Sequence, residues 1–109
     1  MSTMKERWTA AKPLVYQQIS DAIMRTAAYE PNNKYTWNRV KTEVEYIVSR
    51  LVGLGYLEDF KVVCDNTNNT EEGVEANEFH LDFAWKLDDG TEITIVSFVL
   101  SPRGIEIQQ

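Results

Sequence analysis

Apolar and polar residues alternate along this chain with two different periods, and the change between them divides it into halves. In "WTAAKPLVYQQISDAIMRTAAY" the residues Val15, Ile19, Ala22, Ile23 and Ala27 recur at spacings of three and four. That spacing puts them on one face of a helix. Pro13 suits the first turn of that helix, where its missing N–H leaves no bond unmade. "YEPNNKYTW" then breaks the pattern. Pro31 disfavours a helical Glu30, Asn32 and Asn33 favour a turn, and Thr36 can cap the next helix. In "WNRVKTEVEYIVSRLVGLGYL" a long stripe of Trp37, Val40, Val44, Ile47, Leu51 and Leu54 follows helical spacing. Gly53 weakens its last turn, and Gly55 suits the left-handed residue that ends a helix.

The second half has the period of a strand. "FKVVC" (Phe60–Cys64) reads as a short strand. "EFHLDFAWKL" alternates strictly, with Phe79, Leu81, Phe83, Trp85 and Leu87 on one face and His80, Asp82, Ala84 and Lys86 on the other. "DDG" (Asp88–Gly90) is a hairpin turn. "TEITIVSFVL" (Thr91–Leu100) is apolar on both faces in its later part, as a central strand would be. "SPRG" is another turn, and Ile105–Ile107 forms a short terminal strand. The fold class expected is α+β, with two helices packed on one face of a mainly antiparallel three- to four-stranded sheet. The helix stripe and the odd-numbered face of residues 79–87 bury each other. The opposite face, of Val96, Phe98 and Leu100, then needs a second cover, from the first helix or from another chain.

Composition narrows the picture. The 109 residues, 43% hydrophobic, fit one folded domain. A single cysteine precludes an internal disulfide. The net charge is -6 and the basic residues are scattered, which argues against nucleic-acid binding. No apolar run is long enough to span a membrane, and "MSTMKERW" lacks the apolar core of a signal peptide, so a soluble intracellular product is expected.

The stretch "VVCDNTNNTEEGVEANEF" (Val62–Phe79) looks rich in chemistry. Cys64, His80 and an aspartate are the ingredients of a nucleophilic site, but nothing in their spacing brings them together. A calcium loop counted from Asp65 would need glycine sixth and glutamate twelfth, where Thr70 and Ala76 stand. One cysteine and one histidine cannot make a structural zinc site. "NNT" matches a glycosylation sequon, but its side chains serve better as local turn caps, and Thr70 can cap a helical turn through "TEEGVEA". No catalytic residue, cofactor or metal is expected.

Three stretches together resemble the C-terminal domain of contractile tail sheath proteins of myoviruses and related injection systems. "YEPNNKYTWNRVKTEVEYIVSRL" (Tyr29–Leu51) is similar to the family's aromatic-Glu-Pro-Asn-Asx turn, Thr-Trp and amphipathic helix. "FKVVCDNTNNTEEGVEANEFHLDFAWKL" (Phe60–Leu87) is similar to its strand, Cys-Asp, Asn-Asn-Thr, acidic spacer and alternating strand. "EITIVSFVLSPRGIEI" (Glu92–Ile107) resembles the final strand and tail, and "VYQQISDAIMRTAAYEPNN" the helix before the turn. Sheath subunits are several times longer. The chain is therefore expected to be either a minimal sheath-like protein, such as a collar, neck, baseplate or sheath-end component, or an excised domain.

The resemblance implies a non-enzymatic virion structural protein, assembled in the host cytoplasm, that forms a homo-oligomer with six-fold rings. Its implied partners are tail tube, sheath or neck proteins, with no nucleic acid and no membrane. The expected organisation is an N-terminal extension (1–9), an assembly domain (10–101) and a C-terminal arm (102–109). In the family, terminal strands cross to neighbouring subunits. Here Ile105, Glu106 and Ile107 are the candidate exchanged residues, the alternative being an ordinary last strand on its own sheet. Arg25, Lys34, Arg39 and Lys41 are candidate tube contacts. A non-polymerising baseplate or neck adaptor, and a small α+β enzyme or ligand-binding domain, are the competing readings.

Overall fold

A computed structural model of the chain describes residues 2–90 and 92–109. Two long helices come first, α1 (Met4–Ala27) and α2 (Lys34–Gly53). Strand β1 (Asp59–Val63), the one-turn helix α3 (Glu71–Glu75), and strands β2 (Phe79–Lys86), β3 (Thr94–Ser101) and β4 (Gly104–Gln108) follow. The described strands make one sheet in the order β1-β2-β3-β4, antiparallel throughout. The α+β expectation holds, with both long helices on one face. The expected start of the third strand at Thr91, and Met1 of the expected extension, lie outside the described residues.

Directly opposed residues in a sheet share a face, so the register defines the core side. Phe83 stands between Val62 of β1 and Val96 of β3, and Leu81 opposes Phe98. Ile105 and Ile107 of β4 join this face opposite Leu100 and Phe98. Val15, Ile19, Ala22 and Ile23 of α1 and Val40, Val44 and Val48 of α2 close over it in one buried cluster. The second cover for Val96 and Phe98 is thus α1 from the same chain. They do not form an opposite face: the register sets Val96 beside Phe83 and Phe98 beside Leu81, on the same side of the sheet. On the reverse face Val99 is buried opposite His80 and Glu106, whereas Ile95 is exposed.

Three local readings are corrected. First, α1 begins at Met4, so Pro13 lies inside it and residues 4–9 are helical. Thr3 and Glu6 form a reciprocal capping box: Thr3 Oγ1 accepts from the Glu6 N–H at 3.1 Å, and Glu6 Oε1 accepts from the Thr3 N–H at 3.1 Å. Trp8, 1% exposed, anchors this extra length. Its ring meets Tyr16, Phe83 and Trp85 edge-on, at centroid distances of 6.5, 6.4 and 5.2 Å. Pro13 is tolerated on the exposed side at the cost of one backbone bond.

Second, the N-cap of α2 is Asn33, whose side chain accepts from Tyr35 and Thr36; Thr36 itself is buried. Third, Leu54 lies past the end of α2 and is exposed, while Val48 takes the inward position. Gly55 does adopt the left-handed conformation expected of it, at φ 82°. Its carbonyl accepts from Arg7 Nε and Nη2 at 3.2 and 2.8 Å, which ties the start of α1 to the end of α2.

Because Trp8 fills the core, Trp8→Ala should destabilise the fold by about 3–5 kcal/mol, the scale for a buried aromatic truncation. Urea unfolding followed by circular dichroism measures this. A loss within experimental error would mean that residues 4–9 are a dispensable extension after all.

Candidate functional site

The loop after β1 is built from its own polar side chains. The Asp65 carboxylate accepts from the Thr67 N–H at 2.9 Å and from the Thr67 hydroxyl, and Asn68 Oδ1 accepts from the Asp65 N–H at 3.0 Å. These Thr67 bonds, side chain first, hold the Asp65 carboxyl below its usual value. Thr70 caps α3 by accepting from the Gly73 N–H at 3.2 Å. Self-capping is what the sequence suggested, and it engages Asp65, Asn68 and Thr70. Among the described residues no cluster of three His, Cys, Asp or Glu side chains could hold a metal ion.

Asn69 has a role the sequence did not reveal. It is 2% exposed. Its Oδ1 accepts from the His80 N–H at 2.8 Å and its Nδ2 donates to the His80 carbonyl at 2.8 Å. The carboxamide thus pairs with β2 as a peptide group would, adding a rung to the ladder where β1 has ended. Cys64 lies beneath it, with Sγ 3.4 Å from the same carbonyl. The His80 imidazole bonds Glu78 instead, at 3.2 Å. Cysteine and histidine therefore touch through backbone, not as nucleophile and base. Burial pushes the Cys64 thiol from 9.0 up to about 12.

The turn between the helices meets this loop. Asn32 Nδ2 donates to the Glu78 carbonyl at 2.7 Å, and Asn32 Oδ1 accepts from Trp37 Nε1 at 2.6 Å. One asparagine so links the α1–α2 turn, the first turn of α2 and the entry to β2.

Beside this junction is a groove of about 690 Å³ lined by Lys34, Tyr35, Trp37, Arg39, Lys41 and Asp65, among others. The Lys34 ammonium lies 5.6 Å from the Tyr35 ring centroid. Three of the four candidate tube contacts converge here. Arg25 does not: it pairs with Glu43, whose second oxygen accepts from Thr26 Oγ1 at 2.7 Å. It lines a separate groove between the helices with Asp21 and Arg50. Sequence spacing could not separate these cations, because only the packing of α1 on α2 brings Glu43 to Arg25.

The C-terminal residues form β4 on their own sheet, after a turn through Pro102 and Arg103. Gly104, at φ 114°, supplies a backbone angle that a side chain would resist. Ile105 is half-buried, and Glu106, Ile107 and Gln108 are exposed. The strand is held chiefly by main-chain bonds.

The family model for the phage tail sheath C-terminal domain matches residues 13–101. The chain belongs to this family. Similar curated proteins are the tail sheath protein of Vibrio phage KVP40, 36% identical over 66 residues, and that of Enterobacteria phage T4, 26% identical over 98 residues. The matches cover 61% and 87% of this chain. They cover only 10% and 15% of the respective relatives, so the chain spans a small part of their length. No solved structure matches it significantly.

On the sheath domain these boundaries are informative. The match takes in most of α1, all of α2 and the sheet through the end of β3, and it stops at the turn before β4. The Asn32 junction, the Asn69 rung and the basic groove all fall within it.

The folded Cys64 thiol should resist thiol reagents at pH 8–9 and react fully once denatured. Its raised folded value also sets a sign: this group favours the fold fully below pH 9.0, and the contribution is lost as pH rises towards about 12. Rapid modification of the native protein at pH 8 would contradict the buried placement.

Proposed function

We propose that this chain is a structural subunit of a contractile phage tail or neck, built on a sheath-type assembly domain and acting without catalysis. The observation that carries the reading is the family match through both helices and three strands of the sheet. The two relatives above are named tail sheath proteins, and the shared domain brings that role to this chain. In this reading the protein is a virion component assembled in the host, and copies join head-to-tail into rings, six-fold as the family implies.

The C-terminal arm, residues 102–109, is the proposed link between subunits. Its strand could leave one sheet and occupy the same slot in the next, with Ile105 and Ile107 on the core face and Glu106 on the reverse. Two features support a low cost for the exchange. The arm buries little, and Pro102 and Gly104 sit at the point where the chain would change direction. The slot is the same in either state, so the ladder bonds with β3 are conserved. Deleting residues 102–109 should leave a folded monomer that no longer assembles, read by circular dichroism and sedimentation. If the truncated chain still assembles, the arm is not the link. If it unfolds, β4 is an indispensable part of its own domain.

The basic groove is the proposed contact with the tail tube. Lys34, Arg39 and Lys41 point to a partner surface bearing carboxylates. Arg25 is already neutralised by Glu43 and contributes least of the four candidates. Replacing Lys34, Arg39 and Lys41 together by Gln should weaken co-assembly with tube subunits and flatten its salt dependence, with Arg25→Gln near wild type. Equal loss from Arg25→Gln would place the contact on the helix layer instead.

A further inference from the structure

The sheet has two open edges, and they are unlike. Strands β1 and β4 flank it, each five residues long, and among the described residues neither pairs with a second strand. An open edge is a template for another strand unless something blocks it. These two edges complement each other.

Hydrogen-bonding direction comes first. Ser101 and Gly104 face each other across the turn at Pro102 and Arg103, and such a tight hairpin closes on a hydrogen-bonded pair. Alternation along β4 then turns the N–H and C=O groups of Ile105 and Ile107 outward. Carried across β3 and β2 through the observed registers, the same alternation turns those of Phe60 and Val62 outward on β1. Two contacts agree with this. Asn69 bonds both main-chain groups of His80 on the β1 side of β2, and the Phe60 N–H is capped by its neighbour Asp59 at 2.8 Å. All four outward-facing residues also carry their side chains on the core face.

Side chains then select the register. In a meander of four strands β1 and β4 run in opposite directions, so β4 of one copy meets β1 of the next antiparallel. Opposing Ile105 to Val62 and Ile107 to Phe60 uses every outward-facing group and aligns the strands over their whole length. It sets apolar against apolar on the helix-covered side, where Ile107 is 44% exposed in the single chain. On the reverse side it sets exposed Glu106 against exposed Lys61, in the close, non-hydrogen-bonded position. Like edges meet badly. In the centred register, β4 on β4 opposes Glu106 to itself, and β1 on β1 opposes Lys61 to itself.

The layers also match in width. Four strands at roughly 4.8 Å span about 19 Å, and two helices at roughly 10 Å span about 20 Å, so adjoining sheets would bring neighbouring helix pairs side by side without gap or overlap. Asp59 would release the Phe60 N–H to the incoming strand.

We propose that copies of this chain join edge to edge, β4 of one against β1 of the next, with Glu106 opposite Lys61. The proposal rests on the reading of the chain as a self-assembling subunit. It is distinct from strand exchange, because an exchanged β4 fills the same slot and leaves the same two edges open. Lys61→Glu or Glu106→Lys alone should weaken self-association by about three- to tenfold, and the double reversal should restore it. A second measurement uses cysteines. Lys61→Cys and Glu106→Cys variants, each folded alone and then mixed under mild oxidation, should form a disulfide-linked dimer, since facing Cα atoms in this position are close enough for a bridge. Neither variant alone should cross-link to itself.

Self-linkage of either variant, or no rescue by the double reversal, overturns the proposal. A Val99→Cys and Glu106→Cys mixture reports exchange separately, because Val99 is the β3 partner of Glu106. Linkage in that mixture without linkage between positions 61 and 106 would uphold the arm exchange and refute the edge contact. The reverse result would uphold the edge contact alone.

Discussion

The fold depends on one sheet face being buried while the other is not. Phe79, Leu81 and Phe83 of β2 form the spine of that face, with Val62 on one side and Val96 and Phe98 on the other. Burying this surface under α1 and α2 removes large apolar areas from water, and every other contact is subordinate to it. The aromatic cluster of Trp8, Tyr16, Phe83 and Trp85 closes one part of the core. In it Trp85 Nε1 donates to the Tyr16 hydroxyl at 3.1 Å, while buried Trp8 Nε1 has no partner among the described residues. Burial and then the Trp85 bond act on the Tyr16 phenol, and burial prevails in raising its ionisation point.

Periodicity made the middle of each element legible, and chemistry at the ends decided the rest. The alternation of Phe79 to Lys86 and the stripe from Val40 to Leu51 were readable because half-buried elements must repeat with the pitch of the backbone. The start of α1 carries the repeat too, with Met4, Trp8 and Ala11 leading into Val15. The Thr3–Glu6 capping box marks its beginning, and Pro13 masked both signals by suggesting a later one. Asn33 and Thr36 are both cap-forming residue types, and they are separated by tertiary structure: the Asn33 carboxamide accepts from Tyr35 and Thr36, while Thr36 is buried.

The candidate site was less legible because its parts are joined by tertiary contact. Nothing near Asn69 in sequence announces that its carboxamide will bond the main chain of His80. Likewise, Arg25 and Lys34 look equivalent until α2 presents Glu43 to one and an open groove to the other. The family resemblance located the right segments, Tyr29–Leu51 and Phe60–Leu87, and the structure shows Asn32 joining them at the Glu78 carbonyl. That bond ties the helix layer to the sheet.

The Asn69 rung has an architectural consequence. Where a ladder ends on backbone, the next residues must leave from that strand's own end, and any change in their number pulls on the pairing. Here the last rung is a side chain, and the main chain is already free of the sheet after Val63. The span between Thr70 and Asn77 therefore lies outside the ladder on both sides, secured at Asn69 and at Glu78. It is a natural place for the chain to lengthen outward, admitting an insertion while the layers behind it keep their spacing.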